Sequence, residues 1–157
     1  MPLIELQTTI NSTIEVCFDL SRSIDLHKIS TAKTGEEAID GVTGGLIGPN
    51  EFVTWRARHF GVIQKLTTKI TMYDRPRHFR DEQIRGAFKR MIHDHYFEKM
   101  QEAVLMTDCF YFESPFGLIG HAFNRIVLTN YLRRFLIERN ETIKEYSETG
   151  KWQKLLP

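Results

Sequence analysis

Two runs of strand character stand next to each other in residues 89–112, KRMIHDHYFEKMQEAVLMTDCFYF, on either side of a short polar turn at Gln101 and Glu102. So short a turn can join only antiparallel neighbours. Because successive side chains of a strand point to opposite faces of a sheet, one face of each run is expected to point inward. The expected inward residues are Met91, His93, His95 and Phe97 on the first run and Met106, Asp108, Phe110 and Phe112 on the second.

The residues before this hairpin continue the same pattern, with glycines or short polar turns between the runs. Together they predict a meander of antiparallel strands. Residues 34–50 are rich in glycine, threonine and acidic residues, a composition typical of short strands joined by flexible turns. The predicted strands of the meander are residues 51–60, 64–73, 78–85, 89–100 and 103–112.

The start of the chain predicts a strand followed by two short helices. Apolar and polar residues alternate over residues 3–10, which indicates a strand with one buried face. Ser12 and Glu15 have the spacing of a capping box, so a short helix is expected to follow Ser12. A second short helix is predicted near residues 24–29.

The end of the chain predicts one long helix. Ser114 and Pro115 stand where an N-cap and a first helical residue would, and Gly150 is placed to end the helix. Apolar residues before Leu128 lie on a different face from those after it, so either the helix bends there or its first half is surrounded by protein. After that point the apolar residues at helical spacing are Leu128, Tyr131, Leu132, Phe135, Leu136, Ile143 and Tyr146.

This order of elements predicts an α+β fold in which a curved antiparallel sheet wraps around the long C-terminal helix. A curved sheet cannot bury its concave face on itself, whereas a single helix laid across it can do so. A grip of this kind leaves a cavity wherever the side chains are too short to fill it.

Length and composition limit the class of protein. The chain has 157 residues, of which 41% are apolar, 11% aromatic and 26% charged, so we expect a single domain over residues 1–157. A net charge of +1 offers no general basic field for nucleic acid. Without a signal pattern or an apolar run of about 18 residues, we expect a cytoplasmic protein with no stable membrane insertion.

Four short motifs along the chain carry a family resemblance: VTWRARHFG at residues 53–61, YDRP at 73–76, HDHYFE at 93–98, and PFG at 115–117 downstream of Asp108. In these motifs the sequence resembles the START/Bet v 1-like (SRPBCC) superfamily, especially its bacterial polyketide cyclase/dehydrase-like or ligand-binding branch. The resemblance implies the helix-grip fold with a deep internal cavity for hydrophobic ligands. It also implies that a minority of such proteins are enzymes.

Strand and helix periodicity predict which side chains would line that cavity. Rings and methionines with a few polar groups are typical of a small-molecule pocket. The alternative interpretation is that the same aromatic stripes form an ordinary core. The predicted ligand-binding residues are Trp55, His59, Met72, Phe79, His93, His95, Phe97, Met106, Phe110, Leu128, Tyr131, Leu132 and Phe135.

Two histidines and two carboxylates are the candidates for chemistry. His93 and His95 are two residues apart on a strand, so both imidazoles point to one face. In an apolar cavity the two histidines would pair with Asp81 or Asp108. These four residues are therefore the candidate catalytic acids and bases. A metal site would need a third ligand such as His59 or Asp108. No motif identifies that ligand, so neither a metal nor another cofactor is predicted.

Three functions are compatible with these observations. The leading hypothesis is non-catalytic binding of a hydrophobic or amphipathic small molecule of lipid, polyketide or aromatic type. The alternative is a cyclase/aromatase-like enzyme that acts on a polyketide-like or aromatic substrate. The third hypothesis is that the apolar start of the C-terminal helix, around Phe123, binds another chain, for example in a homodimer.

The basic residues of the chain do not predict a nucleic-acid partner, because acidic residues interrupt the basic segment 75–90. Arg139 is expected on the exposed side of the C-terminal helix.

Overall fold

A computed structural model describes residues 2–114, 122 and 124–157. The strands of these residues form one antiparallel sheet. They are β1 (Leu3–Ile10), β2 (Glu37–Gly41), β3 (Phe52–His59), β4 (Val62–Asp74), β5 (His78–Arg85), β6 (Arg90–Lys99) and β7 (Val104–Glu113). Their order in the sheet is β1-β7-β6-β5-β4-β3-β2. The predicted meander is confirmed, and each of its five strands, β3 to β7, begins and ends within two residues of its expected limits.

The N-terminal strand completes the sheet by a long-range pairing. β1 runs antiparallel to β7, from Leu3 opposite Tyr111 to Ile10 opposite Val104. At the other edge, the glycine-rich residues 34–50 form a single strand, β2, which pairs with β3. The sheet therefore joins the beginning of the chain to the last strand of the meander.

Within residues 2–114 and 124–157, three α-helices pack on the sheet: α1 (Ile14–Ser21), α2 (Ile24–Ser30) and α3 (Thr129–Thr149). The N-cap of α1 is Thr13, whose Oγ1 accepts a hydrogen bond from the Val16 amide at 3.3 Å. The prediction that Ser12 opens this helix is wrong by one residue, because the Ser12 amide still bonds to the Ile10 carbonyl in the turn after β1. Ser23 caps α2 through the Leu26 amide.

The C-terminal helix begins after an irregular turn and ends at a glycine. A π-helical turn, Asn124–Leu128, precedes α3, and the exposed Ile126 and Val127 lie on it. Gly150 ends the helix in the left-handed conformation with φ +75°, as predicted. The predicted first helical residue Pro115 and the apolar Phe123 lie outside the described residues. No helix in the described part of the chain has the length and apolar character needed to cross a membrane.

The order and pairing of these elements confirm the predicted α+β helix-grip fold. One end of the grip is filled with aromatic rings. The Phe18 ring of α1 is fully buried, with its centroid 5.3–5.4 Å from those of Tyr73, Phe79 and Phe97 in edge-to-face contacts. A second apolar cluster, around Met91, Phe112 and Leu136, lies elsewhere between sheet and α3. Residues of both clusters line a cavity.

Candidate ligand-binding cavity

The cavity between the sheet and α3 has a volume of about 1210 Å³. Strands β3 to β6 supply most of one wall, and α3 supplies the opposite wall. Rings and aliphatic side chains predominate on these walls. Ten of the predicted ligand-binding residues line the cavity, and contact of any of them with a ligand remains a prediction; they are Trp55, His59, Phe79, His93, His95, Phe110, Leu128, Tyr131, Leu132 and Phe135.

Met72 does not lie on the inner face, and its predicted position is wrong. Pairing between β4 and β5 shifts register between Ile70 and Met72, where the β4 strand contains a bulge. A bulge inserts one residue and so reverses the facing of everything after it. Met72 is therefore 48% exposed, and Tyr73 takes the inward position against Phe18.

Phe97 and Met106 face inward as predicted but do not line the cavity. The Phe97 ring packs against Phe18 with centroids 5.3 Å apart, and Met106 is fully buried with its sulfur 3.5 Å from the Ser21 hydroxyl. Helix α1 covers both residues. The prediction that they line the cavity is therefore wrong, and both residues belong to the core.

Two histidines and two carboxylates meet on three neighbouring strands, and we call Asp81, His93, His95 and Asp108 the histidine–carboxylate cluster. Asp81 lies opposite His93 across β5 and β6, and Asp108 lies opposite His95 across β6 and β7. The hydrogen bonds run diagonally between these pairs. His95 Nε2 is 2.8 Å from Asp81 Oδ2, and His93 Nε2 is 2.8 Å from Asp108 Oδ1.

Aromatic neighbours hold both imidazoles in place. The Phe79 ring stacks on His95 with centroids 4.1 Å apart, and the Phe110 ring meets His93 edge-on at 5.1 Å. The two imidazole centroids are themselves 3.7 Å apart. Both rings are buried and line the cavity, so their orientation is set before any ligand arrives.

Asp108 lies beneath the histidines and does not reach the cavity. It is fully buried, and Asn140 Nδ2 donates to its Oδ2 at 2.7 Å. Asp81, by contrast, lines the cavity together with His93 and His95. Of the four catalytic candidates, Asp108 is therefore placed to orient the histidines rather than to touch a ligand.

Arg139 is buried, and its predicted position on the exposed side of the helix is wrong. It is 5% exposed, lines the cavity, and donates to the Ser21 carbonyl at 3.0 Å. Its Nη1 lies 3.5 Å from Asp108 Oδ1. Position 139 falls on the same helix stripe as Leu136 and Ile143. A charge is tolerated there because the buried carboxylate compensates it.

The pKa values of the residues in the histidine–carboxylate cluster depend on one another. Burial raises the pKa of Asp108, but its contacts with His93 and His95 outweigh this effect and hold that pKa well below its ordinary value. Burial also lowers the pKa of His93 to about 4, with help from neighbouring His95. Burial opposes protonation of His95 as well, yet Asp108 and Asp81 raise its pKa above the ordinary value. His95 is therefore the more readily protonated of the two histidines, and His93 is held neutral.

A second polar group lines the cavity, and the sequence contained no motif that identifies it. The Glu36 carboxylate is buried and lies 2.8 Å from His27 Nε2, and the His27 ring packs on Trp55 with centroids 4.3 Å apart. Nearby, His59 Nδ1 is 2.5 Å from the Tyr131 hydroxyl. Burial lowers the pKa of His59, although the Glu36 charge opposes this effect.

The basic segment 75–90 contains arginines that are paired within the chain. Such pairing reduces the positive surface that a polyanion would meet. The absence of a nucleic-acid partner remains a prediction. The pairs are Arg75 with Asp19, Arg77 with Asp74, and Arg80 with Asp94, at N–O distances of 2.6, 3.0 and 2.8 Å respectively.

No protein-family model matches this chain, and no curated protein is significantly similar to it. Solved structures do match. A protein from Thermus thermophilus aligns with a TM-score of 0.72 at 15% identity, over 94% of this chain and 100% of its own. Major latex-like protein 151 from Panax ginseng aligns with a TM-score of 0.67 at 19% identity, over 93% of this chain and 97% of its own.

A START superfamily protein from Mycobacterium smegmatis aligns with a TM-score of 0.69 at 9% identity, over 91% of this chain and 97% of its own. Identities this low establish a shared fold and leave ligand and activity open. The resemblance seen in the sequence motifs is thereby confirmed at the level of the fold: this chain has the helix-grip fold of the Bet v 1-like and START structures.

Proposed function

We propose that the protein binds a hydrophobic or amphipathic small molecule, without catalysis, in the cavity between the sheet and α3. The observation that carries the proposal is a cavity of about 1210 Å³ walled mainly by rings and aliphatic side chains. Ligand sites are concave and mostly apolar, with a few polar groups that orient the ligand. The superfamily that shares this fold binds hydrophobic ligands, which supports the proposal.

The polar groups of the wall favour a ligand with an apolar body and a polar head. Two groups of polar side chains at the wall contain titratable residues, namely the histidine–carboxylate cluster beside Arg139 and the group of Glu36, His27 and His59. Apolar side chains make up most of the remaining wall, with Trp55, Leu66 and Phe135 among them. A lipid, a polyketide or a substituted aromatic compound has this distribution of polarity.

Native mass spectrometry of the purified full-length protein tests for a bound guest, and fluorescence titration with anilinonaphthalene sulfonate, an aromatic anion, tests affinity. Ala57 is 6% exposed and lines the cavity, whereas Arg58 beside it is exposed. We expect Ala57→Phe to fill the cavity and weaken probe binding at least about tenfold, which corresponds to about 1.4 kcal/mol. The matched control Arg58→Phe should bind as wild type does.

Two outcomes would count against ligand binding. The first is that no copurified species and no saturable probe binding is found in wild type. The second is that Ala57→Phe and Arg58→Phe bind the probe equally well, because binding would then not involve the cavity.

The second candidate function, a cyclase/aromatase-like enzyme, is favoured by one feature of His93. Its Nε2–H donates to ionised Asp108, so Nδ1 carries the lone pair, and the pKa of about 4 keeps this imidazole neutral. Such a nitrogen beside a cavity can accept a proton from a substrate. Turnover of an aromatic polyketide should then fall about 10²–10⁴-fold in His93→Gln. Turnover unchanged by both His93→Gln and Asp81→Asn would remove this assignment.

A further inference from the structure

We propose that Asp81, His93 and His95 bind one divalent transition-metal ion of the zinc type at the wall of the cavity. Each of the three residues offers one ligand atom, and these atoms all lie within 4.8 Å of one another. This metal site goes beyond the proposed ligand binding and does not depend on it. The sequence supplied the two histidines, and the tertiary structure supplies the third ligand, Asp81, in place of His59 or Asp108.

The distances between the donor atoms are close to those that a metal needs. His95 Nε2 is 2.8 Å and His93 Nδ1 is 3.9 Å from Asp81 Oδ2. Nitrogen and oxygen ligands about 2.0–2.2 Å from a tetrahedral zinc ion lie about 3.3–3.6 Å apart. Small side-chain rotations therefore suffice to bring the three donors around one ion. The ion would replace the hydrogen now shared between His95 and Asp81.

The other nitrogen of each histidine faces the buried carboxylate of Asp108. His93 Nε2 is 2.8 Å from Asp108 Oδ1, and His95 Nδ1 is 3.1 Å from the same oxygen. Metal-binding histidines almost always donate their second ring N–H to a carboxylate or carbonyl, which fixes the tautomer. Asn140 in turn holds Asp108 from α3. The cluster thus has both the ligands and the supporting carboxylate of a metal centre.

One buried atom of the cluster lacks a hydrogen bond, and metal binding would give it a partner. His95 Nδ1 is buried and makes no hydrogen bond among the described residues, because its contact with Asp108 lacks hydrogen-bond geometry. A buried polar atom without a partner is costly. Rotation of His95 around a metal bound at Nε2 would bring its Nδ1–H toward Asp108 and satisfy this atom.

The kind of ion follows from the donors. Two imidazoles and one carboxylate suit zinc, iron(II) and similar transition metals, whereas magnesium and calcium prefer oxygen ligands alone. Three protein ligands leave at least one coordination position free, and all three residues line the cavity. A carboxylate, phenolate or enolate oxygen of a bound small molecule would have the right chemistry for the open position.

Isothermal titration of chelator-treated, full-length protein with zinc chloride tests the proposal. We expect one ion per chain, a visible Co²⁺ spectrum when cobalt is used as the probe, and no binding of Mg²⁺. Asp81→Asn and His93→Gln should weaken zinc binding at least about 100-fold, and Asp108→Asn should weaken it about 10–100-fold. The control His78→Gln removes a histidine that is hydrogen-bonded to Asp94 instead, and it should bind as wild type does.

One measurement needs no variant and so remains decisive even if a variant fails to fold. Zinc should shift the ring ¹⁵N resonances of His93 and His95 in the wild-type protein at stoichiometric concentration, and leave those of His78 in place. Absence of zinc and cobalt binding by wild type overturns the proposal. So does binding that survives Asp81→Asn and His93→Gln but is lost in His78→Gln. If Ala57→Phe loses its affinity for the fluorescent probe but binds zinc as wild type does, the metal site and the ligand site are independent.

Discussion

The two histidines of β6 are chemically distinct although they share one strand face. Phe79 stacks on His95 and Phe110 contacts His93, so the rings are held by different neighbours. His95 lies between two carboxylates that raise its pKa above the ordinary value, whereas His93 hydrogen-bonds to Asp108 alone and its pKa falls to about 4. The carboxylates within reach of each imidazole therefore decide the direction in which its pKa shifts.

Glu36 offers a test of buried charge away from that cluster. Burial raises its pKa, but the attraction of His27 outweighs burial, and the pKa lies below the ordinary value of 4.5. The ionised form therefore stabilises the fold above the unfolded-state pKa, and this contribution is lost as the pH falls through the folded-state pKa. We expect Glu36→Gln to lower the free energy of unfolding at pH 7 by about 1–3 kcal/mol.

Urea unfolding at a series of pH values from 7 to 3 measures this effect. The difference between wild type and Glu36→Gln should shrink as the pH falls below 4.5. The control Glu37→Gln alters an exposed ion pair with Arg56 and should change stability by no more than about 0.5 kcal/mol. A difference that stays constant across the pH range would contradict the assignment of a lowered pKa to Glu36.

At the scale of the elements, β4 shows how one extra residue reverses the facing of the end of a strand. Its register shift between Ile70 and Met72 turns Met72 outward and brings Tyr73 into the aromatic cluster around Phe18. Alternation alone places Leu66, Thr68 and Ile70 on the correct, inward face, but it assigns the wrong face to the residues after the bulge. A bulge has no reliable signature in the amino-acid sequence of one strand, because the partner strand also determines it.

The start of α1 distinguishes two neighbouring candidate caps. Thr13 Oγ1 accepts the Val16 amide, so Thr13→Ala should lower the free energy of unfolding by about 1 kcal/mol. Ser12→Ala, at the position favoured by the capping-box spacing, should change it by less than about 0.5 kcal/mol. Chemical denaturation of both variants checks the comparison. A larger loss from Ser12→Ala than from Thr13→Ala would show that the helix begins one residue earlier.

At the scale of the whole molecule, side chains fill the space inside the curved sheet around Phe18, whereas the cavity lies beside α3. Phe18 is fully buried against three rings, whereas Phe135 is only partly buried and borders the cavity. Truncation of a tightly packed ring costs about 3–5 kcal/mol, which we expect for Phe18→Ala. A ring that already faces empty space loses fewer contacts, so we expect only about 1–2 kcal/mol for Phe135→Ala.

Differential scanning calorimetry or urea unfolding of the two Phe→Ala variants, without added ligand, measures this contrast. The substitution is the same, so the difference reports on the surroundings of each ring. Equal losses at the two positions would mean that the cavity wall is packed as tightly as the core around Phe18, which is incompatible with an open cavity of about 1210 Å³.

The local pattern of apolar, polar and glycine residues along the sequence determined most of the fold. Glycines and short polar turns separate the strands of the meander, alternation places His93 and His95 on one face, and helical spacing with Gly150 marks the C-terminal helix. These features depend on neighbours in sequence, which is why they were predictable. Strand and helix periodicity together identified ten of the residues that line the cavity.

Only the tertiary structure decided which inward residues face a cavity and which are covered. Helix α1 lies over Phe97 and Met106, a bulge turns Met72 outward, and Arg139 is buried because Asp108 lies opposite it on a distant strand. Asp81 joins the histidines through diagonal pairing across β5 and β6. Each of these outcomes depends on contacts between different strands and helices, and no local spacing encodes them.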